Sequence, residues 1–295
     1  MRSITTLASV EGLPFAPVFW LGGGSGAGKT TVARALAGRI DLRVYHVDAH
    51  GFDHVRRMAQ GPFPRTQVFN AKSLDDRWLR EPAVLADEFL AISRERMPLI
   101  IEDLHAMGPG PTVVVEGPQL LPALITGLID RPEAALWLLP TSQFGRQGVA
   151  ARDEALGSTK EAEAAANRYQ RDVLVTQILA EQAAKLGLRR VTVDGGRSVD
   201  QTVEWLRQSL LGAPGLLRRA EHGEERAQIR CQENQVMVGQ LGAYWRDVGF
   251  ATMPTPPEGP FSCECMMLGC EIELVLSADE YLLRREAGPF LVHSD

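Results

Sequence analysis

The chain has 295 residues with 31 basic and 37 acidic side chains, a formal net charge of -6. A chain of this length builds one large domain plus a small one, or two of ordinary size, and buries roughly 70% of the surface its unfolded form would expose, so no covalent staples are needed. The acidic balance argues against broad non-specific nucleic-acid binding and leaves room only for a local basic cleft.

Residues 1 to 15 read as an N-terminal extension: Glu11 and Pro14 interrupt it, and it has no apolar core of signal-peptide length. No stretch is apolar enough to span a membrane, because Val113 to Ile129 contains Glu116, Pro118 and Pro122. The expected address is cytoplasmic, where the four cysteines are read as free or metal-bound rather than paired.

The apolar run Pro17 to Leu21 predicts a buried strand, followed by Gly23-Gly24-Ser25-Gly26-Ala27-Gly28-Lys29-Thr30 and a helix-forming run from Thr31 to Ala37. This is G-x-x-x-x-G-K-[ST] between a strand and a helix, the context in which a glycine loop turns its amides onto phosphate oxygens. Lys29 is placed to reach the β- and γ-phosphates, and Thr30 to ligate Mg²⁺. The whole loop from Gly23 to Thr31 is therefore the expected ATP site, and a plain turn is the alternative.

Arg43 to Val47 predicts a second strand ending at Asp48, and Pro111 to Gly117 a third ending at Glu116. Strand carboxyl ends line the ligand crevice of a parallel sheet. Glu116 is thus a candidate Mg²⁺ residue, or else a solvated carboxylate. Asp48 is a candidate general base, with Mg²⁺ positioning or helix capping as alternatives. His50, Asp53, His54 and Arg57 are expected near the acceptor pocket, each alone also readable as structural. Gly61 to Asp76, with Pro62 and Pro64, reads as a long loop. Val84 to Met107 reads as two helices or one kinked at Pro98.

A short helix from Leu121 to Leu128 precedes a fourth strand, Ala134 to Leu138, and a fifth is Arg190 to Val193. Between them, Arg146, Arg152, Arg168 and Arg171 sit where a lid could close over phosphates, since guanidinium forks bind phosphate oxygens in pairs. Arg168 and Asp172 could instead pair along a helix. Ser198 is expected to cap a helix running to about Leu211. Beyond Gly212 to Gly215, a charged helix or two and a proline-rich linker over Ala251 to Pro260 lead to Cys263, Cys265 and Cys270, with His293 near the end. Three cysteines in eight positions, with that histidine, point to a structural Zn²⁺, free thiols being the alternative. Cys231 reads as packing.

The glycine loop, Val47-Asp48, Val115-Glu116-Gly117 and the arginine-bearing segment resemble the P-loop small-molecule kinases of the nucleoside/nucleotide kinase-like group, which includes chloramphenicol phosphotransferase and gluconate kinase. The resemblance covers residues 16 to 212. Trp137 to Phe144 and Val193 to Ser198 look like a group of uncharacterised bacterial P-loop ATPases, and the tail is similar to a small bacterial cysteine module. In that module a glycine usually precedes the terminal histidine, whereas Val292 does so here.

The resemblance implies that Asp48 is a base or substrate contact, that lid arginines touch phosphates, and that Gly195 and Arg197 lie beside adenine. The expected fold is α/β, a P-loop NTPase with a five-stranded parallel sheet flanked by helices, plus a small C-terminal helical and zinc-binding module. Its expected divisions are a kinase domain over 16–213, a helical segment over 214–250 and a cysteine-rich module over 251–295. The expected activity is ATP- and Mg²⁺-dependent phosphoryl transfer to a hydroxyl of a nucleotide, sugar or antibiotic. A polynucleotide kinase and a regulatory ATPase whose zinc module binds a partner are the alternatives. No N-K-x-D guanine motif is present.

Overall fold

The computed structural model describes residues 16–150, 156–247 and 255–293. Strands β1 (Val18–Gly23), β2 (Arg43–His46), β3 (Val113–Glu116), β4 (Ala135–Pro140) and β5 (Arg190–Val193) form one parallel sheet in the order β2-β3-β1-β4-β5. Parallel neighbours need crossovers, and helices supply them on both faces, so every central strand is apolar on both sides.

The two-residue period of the strands divides the core into two layers. Trp20, Tyr45, Val113, Val115 and Trp137 face α5 (Pro82–Ala106), α6 (Pro122–Ile125) and α8 (Glu161–Lys185). Phe19, Leu21, Val114, Leu136 and Leu138 face α1 (Lys29–Ile40) and α9 (Val199–Leu211). Ser198 caps α9 by accepting from Gln201 N, as its sequence predicts.

Several expectations change. The segment read as a long loop, which follows α2 (Gly51–Ala59), instead holds α3 (Pro64–Asn70) and the start of α4 (Leu74–Trp78). Pro64 occupies the first turn of α3, where its missing N–H costs nothing, and Ser73 caps α4 by accepting from Asp76 N at 3.1 Å. Helix α5 runs unbroken through Pro98, whose ring points to solvent. Residues 216–222 are not helical, and α10 is a single helix, Gly223–Asp247. The expected linker contains a strand, because β6 (Glu258–Ser262) pairs antiparallel with β7 (Glu273–Ser277). The C-terminal part is thus a hairpin followed by α11 (Ala278–Glu286), which packs on α10.

Helix α10 covers the open edge of the sheet. Glu233 Oε1 accepts from Val44 N of β2 at 2.7 Å, and the Arg230 guanidinium donates to Leu42 O. An uncovered edge would leave such groups to water or to another strand.

Candidate active site

Gly23 ends β1 at φ 131°, and a side chain there would stand 2.0 Å from Leu138 O. Gly26 (φ 75°) likewise admits no Cβ, because Gly145 O of α7 (Ser142–Ala150) would lie 2.6 Å away. Glycine is required here both for the loop conformation and for the close approach of α7. Gly28 (φ 75°) precedes the first residue of α1, so the loop from Gly24 through Ala27 opens onto a helix N-terminus that carries partial positive charge. Lys29 is buried, and its Nζ donates to Gly24 O at 2.8 Å. Thr31 follows at the exposed edge of the same turn.

Three strands bring the acid to this loop. Glu116 ends β3, in register with Leu21 of β1 and His46 of β2. Its Oε1 accepts from Thr30 Oγ1 at 3.1 Å and lies 2.8 Å from His46 Nδ1. Burial alone would push this carboxyl upward. The His46 hydrogen bond and charge, the Lys29 charge and the Thr30 hydroxyl outweigh it and hold Glu116 below the usual carboxylate range. A hydroxyl and an ionised carboxylate beside the glycine loop make a hard-oxygen donor set of the kind Mg²⁺ takes. His46 was not singled out in the sequence, since only strand register places it on Glu116.

Asp48 is exposed in the 3₁₀ turn Asp48–His50 after β2, and its Oδ1 accepts from Gln119 Nε2 at 2.7 Å. Gln119 leads into a cavity of about 220 Å³ walled by Phe69, Trp78, Phe89, Arg96 and Arg171. The Gln119 Oε1 and Arg96 Nε atoms are buried there without hydrogen-bond partners. Burial lowers the Arg96 pKa, against the charge of Asp48.

Of the four candidate arginines, Arg171 forms part of this cavity wall. Its guanidinium lies over the rings of Trp78 (5.6 Å) and Phe89 (5.2 Å) and is hydrogen-bonded to Asp172. Arg146 on α7 stacks over Tyr169 at 4.8 Å, and Arg168 is half-buried on α8. Arg152 falls outside the described residues. Gly195 (φ 90°) packs against the Phe144 ring after β5, and Arg197 lies over Trp205.

His50, Asp53, His54 and Arg57 do not line the 220 Å³ cavity. One face of α2 carries Val55 and Met58 to it. The opposite face converges on Asp103 of α5, whose carboxylate meets Tyr45 Oη (2.6 Å), His54 Nε2 (2.8 Å) and Arg57 Nη1 (2.6 Å). Burial opposes ionisation of Asp103, but these partners prevail and hold it well below its ordinary value. His50 stacks on Tyr45 (ring centroids 4.1 Å), and burial lowers its pKa to about 4. Asp103 was missed because nothing in its own stretch signals a partner some fifty residues away.

At the far end of α1, the structure brings Cys263, Cys265, Cys270 and His293 together, with one ligand atom from each within 4.8 Å of the others. Cys263 Sγ is 3.1 Å from His293 Nδ1. Three thiols and an imidazole match the softness and number of a closed tetrahedral zinc set. Cys231 lies on α10, half-buried, where Gln235 Nε2 approaches its sulfur at 3.6 Å.

Among the described residues, no helix is long and apolar enough to cross a membrane. No protein-family model matches the sequence, and no curated protein matches it. Among solved structures, the chain is similar to thymidylate kinase from Candida albicans, at 13% identity and a TM-score of 0.37, over 67% of this chain and 92% of that one, a likeness too slight to assign a substrate.

Proposed function

We propose that the protein is an ATP- and Mg²⁺-dependent phosphotransferase that passes the γ-phosphoryl group to a hydroxyl of a small molecule. The observation that carries this reading is the meeting of Lys29, Thr30 and Glu116 at a glycine loop opening onto a helix N-terminus. Phosphoryl transfer asks a protein for positioning and positive charge more than for covalent chemistry.

In this reading the amides from Gly24 to Thr31 cradle the phosphates, and Lys29 moves from Gly24 O to the β- and γ-oxygens. Thr30 and Glu116 hold Mg²⁺, which when bound neutralises the phosphate charge. Asp48, oriented by Gln119, takes the acceptor proton, and the Gly195 to Arg197 turn flanks adenine. The aromatic walls of the 220 Å³ cavity, Phe69, Trp78 and Phe89, favour an acceptor with an apolar face to pack on them. Arg171 lies on the acceptor side, while Arg146 and Arg168 are retained for the phosphates.

The Cys263, Cys265, Cys270 and His293 set is proposed to hold a structural Zn²⁺. The unpaired cysteines fit a reducing, cytoplasmic setting. We retain the division into a kinase domain over 16–213 followed by helical and cysteine-bearing parts. The net charge of -6 favours a small acceptor over a polynucleotide.

The nucleotide part is tested by calorimetry with MgATP. Saturable 1:1 binding by the wild type, weakened at least tenfold by Lys29→Ala, supports it. Equal affinities in the two proteins count against it.

A further inference from the structure

The cysteine centre and the phosphate-binding helix are joined through one buried arginine. Arg226, on the first turn of α10, is 1% exposed. Its Nη1 donates to Cys263 O (3.1 Å) and Cys265 O (2.5 Å), and its Nη2 to Cys270 O (2.8 Å). All three cysteines are thus held through their own carbonyls by one guanidinium. That guanidinium pairs with Asp41, whose Oδ1 lies 3.3 Å from Arg226 Nε.

Asp41 is the residue that ends α1, in the left-handed conformation at φ 53°. Its carboxylate also accepts from Gly269 N, next to Cys270, at 3.0 and 3.1 Å. Three more contacts follow the same face of α1. Arg34 pairs with Glu273 and donates to Pro260 O at 2.8 Å. Arg39 forms two 2.9 Å bonds to Glu271. Gly38 has no room for a larger residue without pressing on Cys270 O and Glu271, at 3.3 Å. The last turn of α1 therefore touches the loop that carries the cysteines, and Arg34 touches the strands on either side of it.

A helix of 12 residues is a rod of about 18 Å. Fixing one end of it restrains the other, where the loop amides and Lys29 begin. Breaking the Arg226 and Asp41 pair on one side would leave a charge buried without its counter-ion, so the arrangement is costly to half-open.

We propose that the metal centre at Cys263, Cys265, Cys270 and His293 is a clamp on the phosphate-binding helix, so that zinc occupancy sets nucleotide affinity through Arg226 and Asp41. The proposal rests on the zinc and nucleotide readings above. With zinc bound, the cysteine loop is closed, its carbonyls hold Arg226, and α1 is seated. With zinc removed, the loop loses its cross-link, Arg226 and Asp41 separate, and α1 gains freedom that nucleotide binding must then remove. Reciprocally, MgATP makes zinc harder to extract.

The test uses the full chain, measuring zinc content, MgATP affinity and amide hydrogen exchange over residues 29–41, before and after a zinc-selective chelator in excess Mg²⁺. Chelation of the wild type is expected to lower MgATP affinity at least fivefold and to speed exchange in α1. Asp41→Gly, which keeps the left-handed turn and deletes the carboxylate, is expected to retain one equivalent of zinc, to bind MgATP more weakly than the wild type, and to lose most of the wild type's response to chelation. Asp41→Asn, which keeps the turn and the size of the side chain, gives the same direction at smaller amplitude should Asp41→Gly fold poorly. Zinc loss with unchanged MgATP affinity and exchange overturns the clamp. So does a wild-type chain that holds no zinc, which fails the metal reading first, or a zinc-loaded chain that binds no MgATP, which fails the nucleotide reading first.

Discussion

Thr30 Oγ1 donates to Glu116 Oε1 at 3.1 Å, tying the first turn of α1 to the end of β3. The same oxygen lies 2.8 Å from His46 Nδ1, so one carboxylate at the end of β3 is shared with α1 and β2. A buried acid kept ionised in this way is poised for a cation rather than a proton.

His46 is expected to act through Glu116. Replacing it by Phe removes the hydrogen bond and keeps a ring of similar size. The Mg²⁺ concentration for half-maximal turnover should rise about tenfold, the lower end of what outer partners of metal ligands contribute, with MgATP-saturated kcat little changed. An unaltered Mg²⁺ requirement would remove His46 from the site.

Asp48 and Gln119 share a 2.7 Å hydrogen bond. If Asp48 takes the acceptor proton, Asp48→Asn lowers kcat by about 10²- to 10³-fold, within the span of general bases, and leaves MgATP affinity within a few-fold. Parallel loss of both quantities would make Asp48 a nucleotide or Mg²⁺ residue instead.

Helix α7 rests directly on the glycine loop. A Cβ on Gly148 would stand 2.6 Å from Gly26 O and 2.9 Å from Gly26 Cα, both backbone atoms that cannot swing aside. Gly148→Ala should therefore displace loop and helix by a fraction of an ångström and lower turnover by about 10²-fold, the order of loss that small misplacements cause. Gly239→Ala on α10, where a Cβ meets nothing within 4 Å, is the control and should be silent.

His50 makes stability depend on pH with a definite sign. Burial lowers its pKa from 6.5 to about 4 in the folded protein. Between those values the unfolded chain binds the extra proton, so stability is fully present above pH 6.5 and is lost as pH falls toward 4. At one pKa unit per 1.36 kcal/mol the loss reaches about 3 kcal/mol. His50→Phe, which keeps the stack on Tyr45, should flatten this part of the urea midpoint against pH. A midpoint equally steep in the variant would place the titrating group elsewhere.

What the sequence made legible was whatever is local. The strand, glycine loop and helix around Lys29 are contiguous, and the apolar runs at Val113 and Ala135 are short, dense and bounded by turns, so the five strands could be read directly. Ser198 announced its helix by a cap. Pro62 and Pro64 misled for the opposite reason, since proline marks a loop as readily as the first turn of a helix, and only the cap at Ser73 would have favoured α4. Residues that act across the sheet stayed hidden. His46 meets Glu116 by strand register, Asp103 meets α2 across a helix pair, and Arg226 of α10 meets Asp41 at the end of α1 and three carbonyls of the cysteine loop. None of these has a spacing to betray it.

The most direct measurement of the central claim is a screen of purified protein with MgATP against a pooled library of hydroxyl-bearing metabolites and antibiotics, with Lys29→Ala as the blank and mass spectrometry as the readout. The account predicts a product heavier by one phosphoryl group, formed from a hydroxyl-bearing acceptor and absent from the blank. ATP bound, or hydrolysed at a rate no acceptor changes, with no phosphorylated product across the library, would contradict it and leave a nucleotide-dependent regulatory protein in its place.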